Sequence, residues 1–164
     1  MSGAQTAFVT ASVIERLCDA RPDQERDHPL QAADTVAGLR AAVKRDVEAL
    51  LNARRPWRSI PDRYPLLRTS PLGFGVMDFT AGSYNDAQQQ EVLRAEIEMA
   101  VRQFEPRLMD VQVRVVRDPA PLSATLALRI EALLMIEPMP EPVSFDTVVD
   151  VTTADVQLHQ PRKP

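Results

Sequence analysis

The sequence predicts an α+β domain: two main amphipathic helices packed on a mainly antiparallel sheet of about three C-terminal strands, with a short N-terminal helical extension. Two observations carry this expectation. Apolar residues recur at helical spacing before Pro106 and alternate with period two after it. The fourteen prolines avoid Gln31–Arg55, Leu72–Glu105, Arg107–Asp118 and Leu122–Glu137, so they mark the breaks between elements. A chain of 164 residues suits one domain with a single core.

The first 31 residues read as an extension. Ser12-Val13-Ile14-Glu15 has the form of a capping box, and Val13, Ile14, Leu17 and Cys18 make one apolar stripe on a short helix. That helix packs on its own domain or docks on a partner. Asp19 to Pro29, charged and with two prolines, reads as a loop. The domain proper is expected over 32–152, with a charged tail over 153–164.

Its first helix is expected over Asp34–Ala53, capped by Asp34 or Thr35. Val36, Leu39, Val43, Val47, Leu50 and Leu51 form its apolar face. Arg54 to Leu72 is irregular, with four prolines and five arginines against a single acid, Asp62. Trp57 and Tyr64 lie among those arginines, so the segment reads as a solvated loop with a tucked tryptophan, a protein contact, or a nucleic-acid-binding module across Arg54–Arg68. The second helix is expected over Asp86–Phe104, capped by Asn85 or Asp86, with Leu93, Ile97, Ala100, Val101 and Phe104 facing the core. It stops before Pro106, because a proline forces the preceding residue out of helical geometry. Three alternating strands follow: Val111, Val113 and Val115; then Leu126, Leu128, Ile130, Ala132 and Leu134; then Val143, Phe145, Thr147, Val149 and Val151. Their short proline-rich links suit hairpins.

Composition narrows the function. A net charge of −4 disfavours general nucleic-acid binding. The lone Cys18 excludes an intrachain disulfide or a cysteine zinc site, and His28 and His159 lie near opposite ends of the chain. No cofactor or metal is therefore expected. Leu122–Ile136, broken by Arg129 and Glu131, is too short to span a membrane, and Met1–Thr10 lacks the pattern of a secretory signal, so a cytoplasmic location is expected. Carboxylate pairs such as Glu91/Glu96 and Asp146/Asp150 are candidate material for a hydrolase, and both decorate polar faces. No catalytic residue is assigned.

The most unusual local feature is Phe104-Glu105-Pro106-Arg107-Leu108. A glutamate at a helix C-terminus opposes the helix dipole, and a planar cation follows a rigid break. The corner either presents Glu105 and Arg107 to a partner or pairs them internally.

These residues resemble a known family. Glu105-Pro106-Arg107, between an amphipathic helix and a valine-alternating strand, resembles the Glu-Pro-Arg motif of the GPW/gene-25-like family of contractile-tail baseplate wedge proteins. The likeness is greatest to its bacterial branch, found in type VI secretion systems. Ser12-Val13-Ile14-Glu15-Arg16-Leu17 is similar to that branch's N-terminal segment, and Arg45-Asp46-Val47-Glu48-Ala49-Leu50-Leu51-Asn52 to its Arg-Asp-Leu-Glu-x-Leu-Leu-Asn helix. Gly75-Val76-Met77-Asp78-Phe79 is similar to its Gly-Leu-Pro-Asp-Phe turn, with Met77 in place of the proline, and Phe145-Asp146-Thr147 matches its Phe-Asp-Thr. The likeness spans Ser12 to Val151, and the order and spacing of the motifs give it specificity.

The resemblance implies a non-enzymatic wedge subunit, assembled with TssF, TssG and TssK around the hub and tube in a baseplate docked at the inner membrane complex. It implies a domain like the interlocking part of a sheath subunit, offering the first ring of TssB and TssC a template for polymerisation. A sheath strand added at a free sheet edge suits that role, and the tail could cover or extend the edge. Glu105, Pro106 and Arg107 would contact the wedge core. The alternatives are a small muramidase using Glu91 or Glu96 and a nucleic-acid module using Arg54–Arg68.

Overall fold

A computed structural model describes residues 32–55, 61, 63–77, 86–116, 125–137, 139–150 and 155–159. The expected helix at Ser12–Cys18, the position of Trp57 and the residues Asp78 and Phe79 lie outside them. Helix α1 runs Ala32–Asn52. It starts ahead of the expected cap, since Ala32 and Ala33 are strong helix formers, and Asp34 and Thr35 fall in its first turn. The apolar stripe is buried as the spacing requires: Val43, Val47 and Leu51 are inaccessible to solvent, Leu39 and Leu50 nearly so, and Val36 packs against them.

The chain then makes one element that periodicity does not reveal, a single-turn helix α2, Pro65–Arg68, with proline at its start and no buried residue. Helix α3, Ala87–Phe104, is capped by Asp86, whose Oδ1 accepts the Gln88 N–H at 3.0 Å. Replacing Asp86 with alanine orphans that donor and is expected to cost about 1 kcal/mol in denaturant unfolding. An unchanged midpoint would show that water serves equally well there. Leu93, Ile97, Ala100 and Val101 are buried, and Phe104 packs on the same core.

Among the described residues four strands follow, where about three were expected: β1 Leu108–Val116, β2 Thr125–Leu134, β3 Glu141–Asp150 and β4 Val156–His159. They lie in sequence order, each antiparallel to the next. Strand β4 falls within the stretch read as a tail. Its four residues alternate, Val156 and Leu158 buried and Gln157 and His159 exposed, too short a run to stand out as a pattern.

The sheet is one-sided, as antiparallel sheets with a solvated face are. Leu128 opposite Thr147 and Ile130 opposite Phe145 face the core. Arg129 opposite Asp146 faces out, with an ion pair at 2.6 Å. Asp146 is thus a charge partner on the solvated face. Helix α3 lies against β1, α1 against β4, and the helices touch each other.

Strand β1 departs from simple alternation at a bulge. Met109 pairs with Leu133 and Gln112 with Glu131, so Asp110 and Val111 together oppose Ala132. Asp110 takes φ 50°, a left-handed conformation that aspartate tolerates better than most residues. The inserted residue shifts the phase, so Leu108 and Val111, three apart, both enter the core.

Candidate functional site

The Glu105-Pro106-Arg107 corner is where α3 becomes β1, and backbone bonds define it first. Glu105 N–H closes the last helical turn on Val101 O at 2.9 Å. Glu105 O then accepts Leu108 N–H at 3.1 Å, a four-residue turn with Pro106 at its second position, where a fixed φ is favoured. Arg107 O accepts Met135 N–H at 2.9 Å, tying the corner to the end of β2.

The side chains complete a three-way lock. Glu105 is only 3% exposed, and both its oxygens face Arg107, Oε1 taking Nε–H and Oε2 taking Nη2–H at 2.6 Å each. Arg107 Nη2 also donates to Asp46 Oδ2 at 2.6 Å. Asp46 sits three residues after Val43 and four before Leu50, at the margin of the buried stripe of α1, which brings a carboxylate to the corner. The hydrogen bonds that Arg107 donates to Glu105 above all, and the one it donates to Asp46, hold its guanidinium well above its ordinary pKa, against the opposing effect of burial. Its Nη1 is buried without a hydrogen-bond partner among the described residues. Glu105 and Arg107 therefore pair with each other, and Pro106 is the exposed member of the three.

A second surface is fastened beside this corner. Gly75 at φ +102° lets Val76 N–H reach Ala53 O at 3.0 Å and Arg55 N–H reach Val76 O at 2.9 Å. Gln103 near the end of α3 donates to Arg68 O. The ring of Phe74 meets Phe104 edge-to-face at 5.3 Å between centroids. These contacts hold Tyr64–Met77 against the end of α3 while leaving much of its apolar surface outside. Leu66 is 82% exposed and Leu72 57%, with Tyr64, Phe74 and Met77 also exposed. Arg63 lies over the Tyr64 ring at 4.8 Å.

The helices also reach the two outer strands. Asn52 Oδ1 accepts Val156 N–H and its Nδ2 donates to Val156 O, both at 2.9 Å, while Glu48 accepts Leu158 N–H. The Asp46, Glu48 and Asn52 of the Arg-Asp-Val-Glu-Ala-Leu-Leu-Asn segment thus hold the corner and β4. The roles of Glu48 and Asn52 could be found only once β4 was in place. On the opposite edge, Arg102 donates to Val111 O at 2.7 Å, and Glu98 accepts Val113 N–H at 3.1 Å.

Glu91 and Glu96, and two arginines of the basic segment, are engaged within the chain. Glu91 pairs with Arg94 at 2.7 Å, and that hydrogen bond lowers its pKa, the reverse of what a general acid needs. Glu96 pairs with Arg55 at 2.5 Å, which takes one cation from the basic segment, and Arg54 Nη1 donates to Leu51 O. Among the described residues no cluster of His, Cys, Asp and Glu is placed to hold a metal, and no helix is long and apolar enough to cross a membrane.

The fold and its corner form a module in which polar groups fasten helices to a sheet and an apolar surface is held beside the fastening. Residues 37–139, from within α1 through the corner and β2 to just before β3, match the family of baseplate wedge protein gp25, and the chain belongs to that family. It is a structural baseplate component that works through contacts with other baseplate proteins. No curated protein matches the chain.

Proposed function

We propose that this chain is the wedge subunit of a type VI secretion baseplate, in the role of TssE, and that it joins TssF, TssG and TssK to the contractile sheath. The observation that carries the reading is the corner with its neighbouring surface. Glu105, Arg107 and Asp46 set the angle between α3 and β1 rigidly, and Pro106 with Tyr64–Met77 offers an exposed apolar face beside it. Exposed leucines rimmed by arginine and tyrosine make the composition of a protein interface. The wedge core docks on this face. The sheath proteins TssB and TssC contact the domain away from this face, and that contact helps to start polymerisation.

The test is co-purification with TssF and TssG of the same organism. The wild-type chain forms a complex, and Leu66→Asp/Leu72→Asp, folded by circular dichroism, loses it at least tenfold, about 1.4 kcal/mol. A wild-type chain that binds neither protein overturns the proposed role. A complex indifferent to the two aspartates moves the docking face away from α2.

A further inference from the structure

The long edge of the sheet carries a guard. Among the described residues, the nine-residue strand β1 has a neighbour on one side only, β2. Such an edge is a template for unwanted pairing. The register from Gln112 to Val116 is unbroken, so Val113 and Val115 turn their backbone groups to the same side. That side faces away from β2, because the groups of Val113 meet side chains of α3. Glu98 Oε2 accepts Val113 N–H at 3.1 Å, Arg94 Nη1 donates to Val113 O at 3.3 Å, and Arg102 Nη2 donates to Val111 O at 2.7 Å. Residues 94, 98 and 102 are one helical turn apart, so they form a ladder along one line of α3, parallel to the strand.

The ladder is itself tied together. Glu98 bridges Arg94 at 2.7 Å and Arg102 at 2.8 Å, and Arg94 also holds Glu91 at 2.7 Å. Glu98 and Arg94 are only 17% and 24% exposed, so these charges cannot swing into water without giving up several bonds at once.

We propose that Arg94, Glu98 and Arg102 are an edge guard that keeps β1 from pairing with a second copy of this chain. Without them, β1 can meet its own copy antiparallel about Val113. This pairs Val111 with Val115 and Gln112 with Arg114, a two-fold arrangement without like charges opposed. The guard is independent of the proposed baseplate role.

Sedimentation velocity tests it on the full chain. The wild-type chain sediments as a monomer, and Arg94→Ala/Glu98→Ala/Arg102→Ala shifts to a dimer as concentration rises. Adding Val115→Pro to that variant removes an outward N–H at a position where an edge strand tolerates proline, and it returns the chain to monomer. Glu98→Met keeps a long helix-forming side chain but removes the acceptor for Val113 N–H. It gives the same dimer at higher concentration and decides the question if the triple variant does not fold. A wild-type dimer dissolved by Val115→Pro, a folded Glu98→Met variant that stays monomeric, or a dimer indifferent to Val115→Pro each overturns the guard.

Discussion

Arg107→Ala is expected to cost about 3 kcal/mol of folding stability, measured by urea unfolding. The substitution leaves Glu105 buried at 3% exposure with its main partner gone, and stranding a buried charge costs more than an intact pair contributes. The figure is set at the low end of the usual range because the Arg107 side chain is itself 20% exposed. The double variant Glu105→Gln/Arg107→Met removes both charges at similar volume and is expected to recover most of the loss. A cost below about 1 kcal/mol for Arg107→Ala would class the pair with ordinary surface ion pairs, and the corner would then be held by its backbone bonds alone.

Gly75→Ala is expected to cost roughly 3 kcal/mol, from left-handed strain and from steric overlap. At φ +102° an L side chain is strained whatever the space, and a Cβ there would lie 2.4 Å from Ala53 O. That oxygen accepts Val76 N–H, so relief of the overlap breaks the bridge between Arg54 and Val76 and loosens the Tyr64–Met77 segment. Hydrogen exchange separates this from general weakening. Val76 and Arg55 amides are expected to lose protection well before those of β2 and β3. Unchanged protection at Val76 would mean that the segment is held by its ring contact with Phe104 instead.

Both predictions concern residues that stand out in the sequence, yet the sequence explains neither. The Glu-Pro-Arg corner is visible as an anion, a rigid break and a cation, and its place between helix and strand follows from proline chemistry. Whether its charges face a partner or each other depends on how deep Glu105 lies, and depth comes from the packing of α1, α3 and β2 around it. Gly75 is visible as a glycine in a turn-like run. Its need follows from Ala53, twenty-two positions earlier, lying 2.4 Å from where a Cβ would go.

The fold itself was legible where one pattern ran long enough to be periodic. The stripe from Val36 to Leu51, that from Leu93 to Phe104 and the alternation through β1, β2 and β3 all point at the core, because burial of an apolar face acts locally and repeats along the chain. The short elements were not legible. Helix α2 buries nothing, so it leaves no apolar stripe, and β4 is four residues whose two inward positions gain meaning only beside β3. The bulge at Asp110 shifts the phase of β1 by one residue, which alternation read backwards from Val111 cannot show.

The sequence by itself thus determined the class of fold, the two long helices, the three longer strands and the kinship of the chain. Those follow from local spacing and from motif order. The tertiary structure alone decided that Asp46 joins the Glu105–Arg107 pair, that Asn52 and Glu48 hold β4, and that Arg94, Glu98 and Arg102 cover the β1 edge. Each of these joins two elements that touch only after the apolar faces have closed. A side-chain hydrogen bond depends on an approach of about 3 Å, which no spacing along the chain encodes.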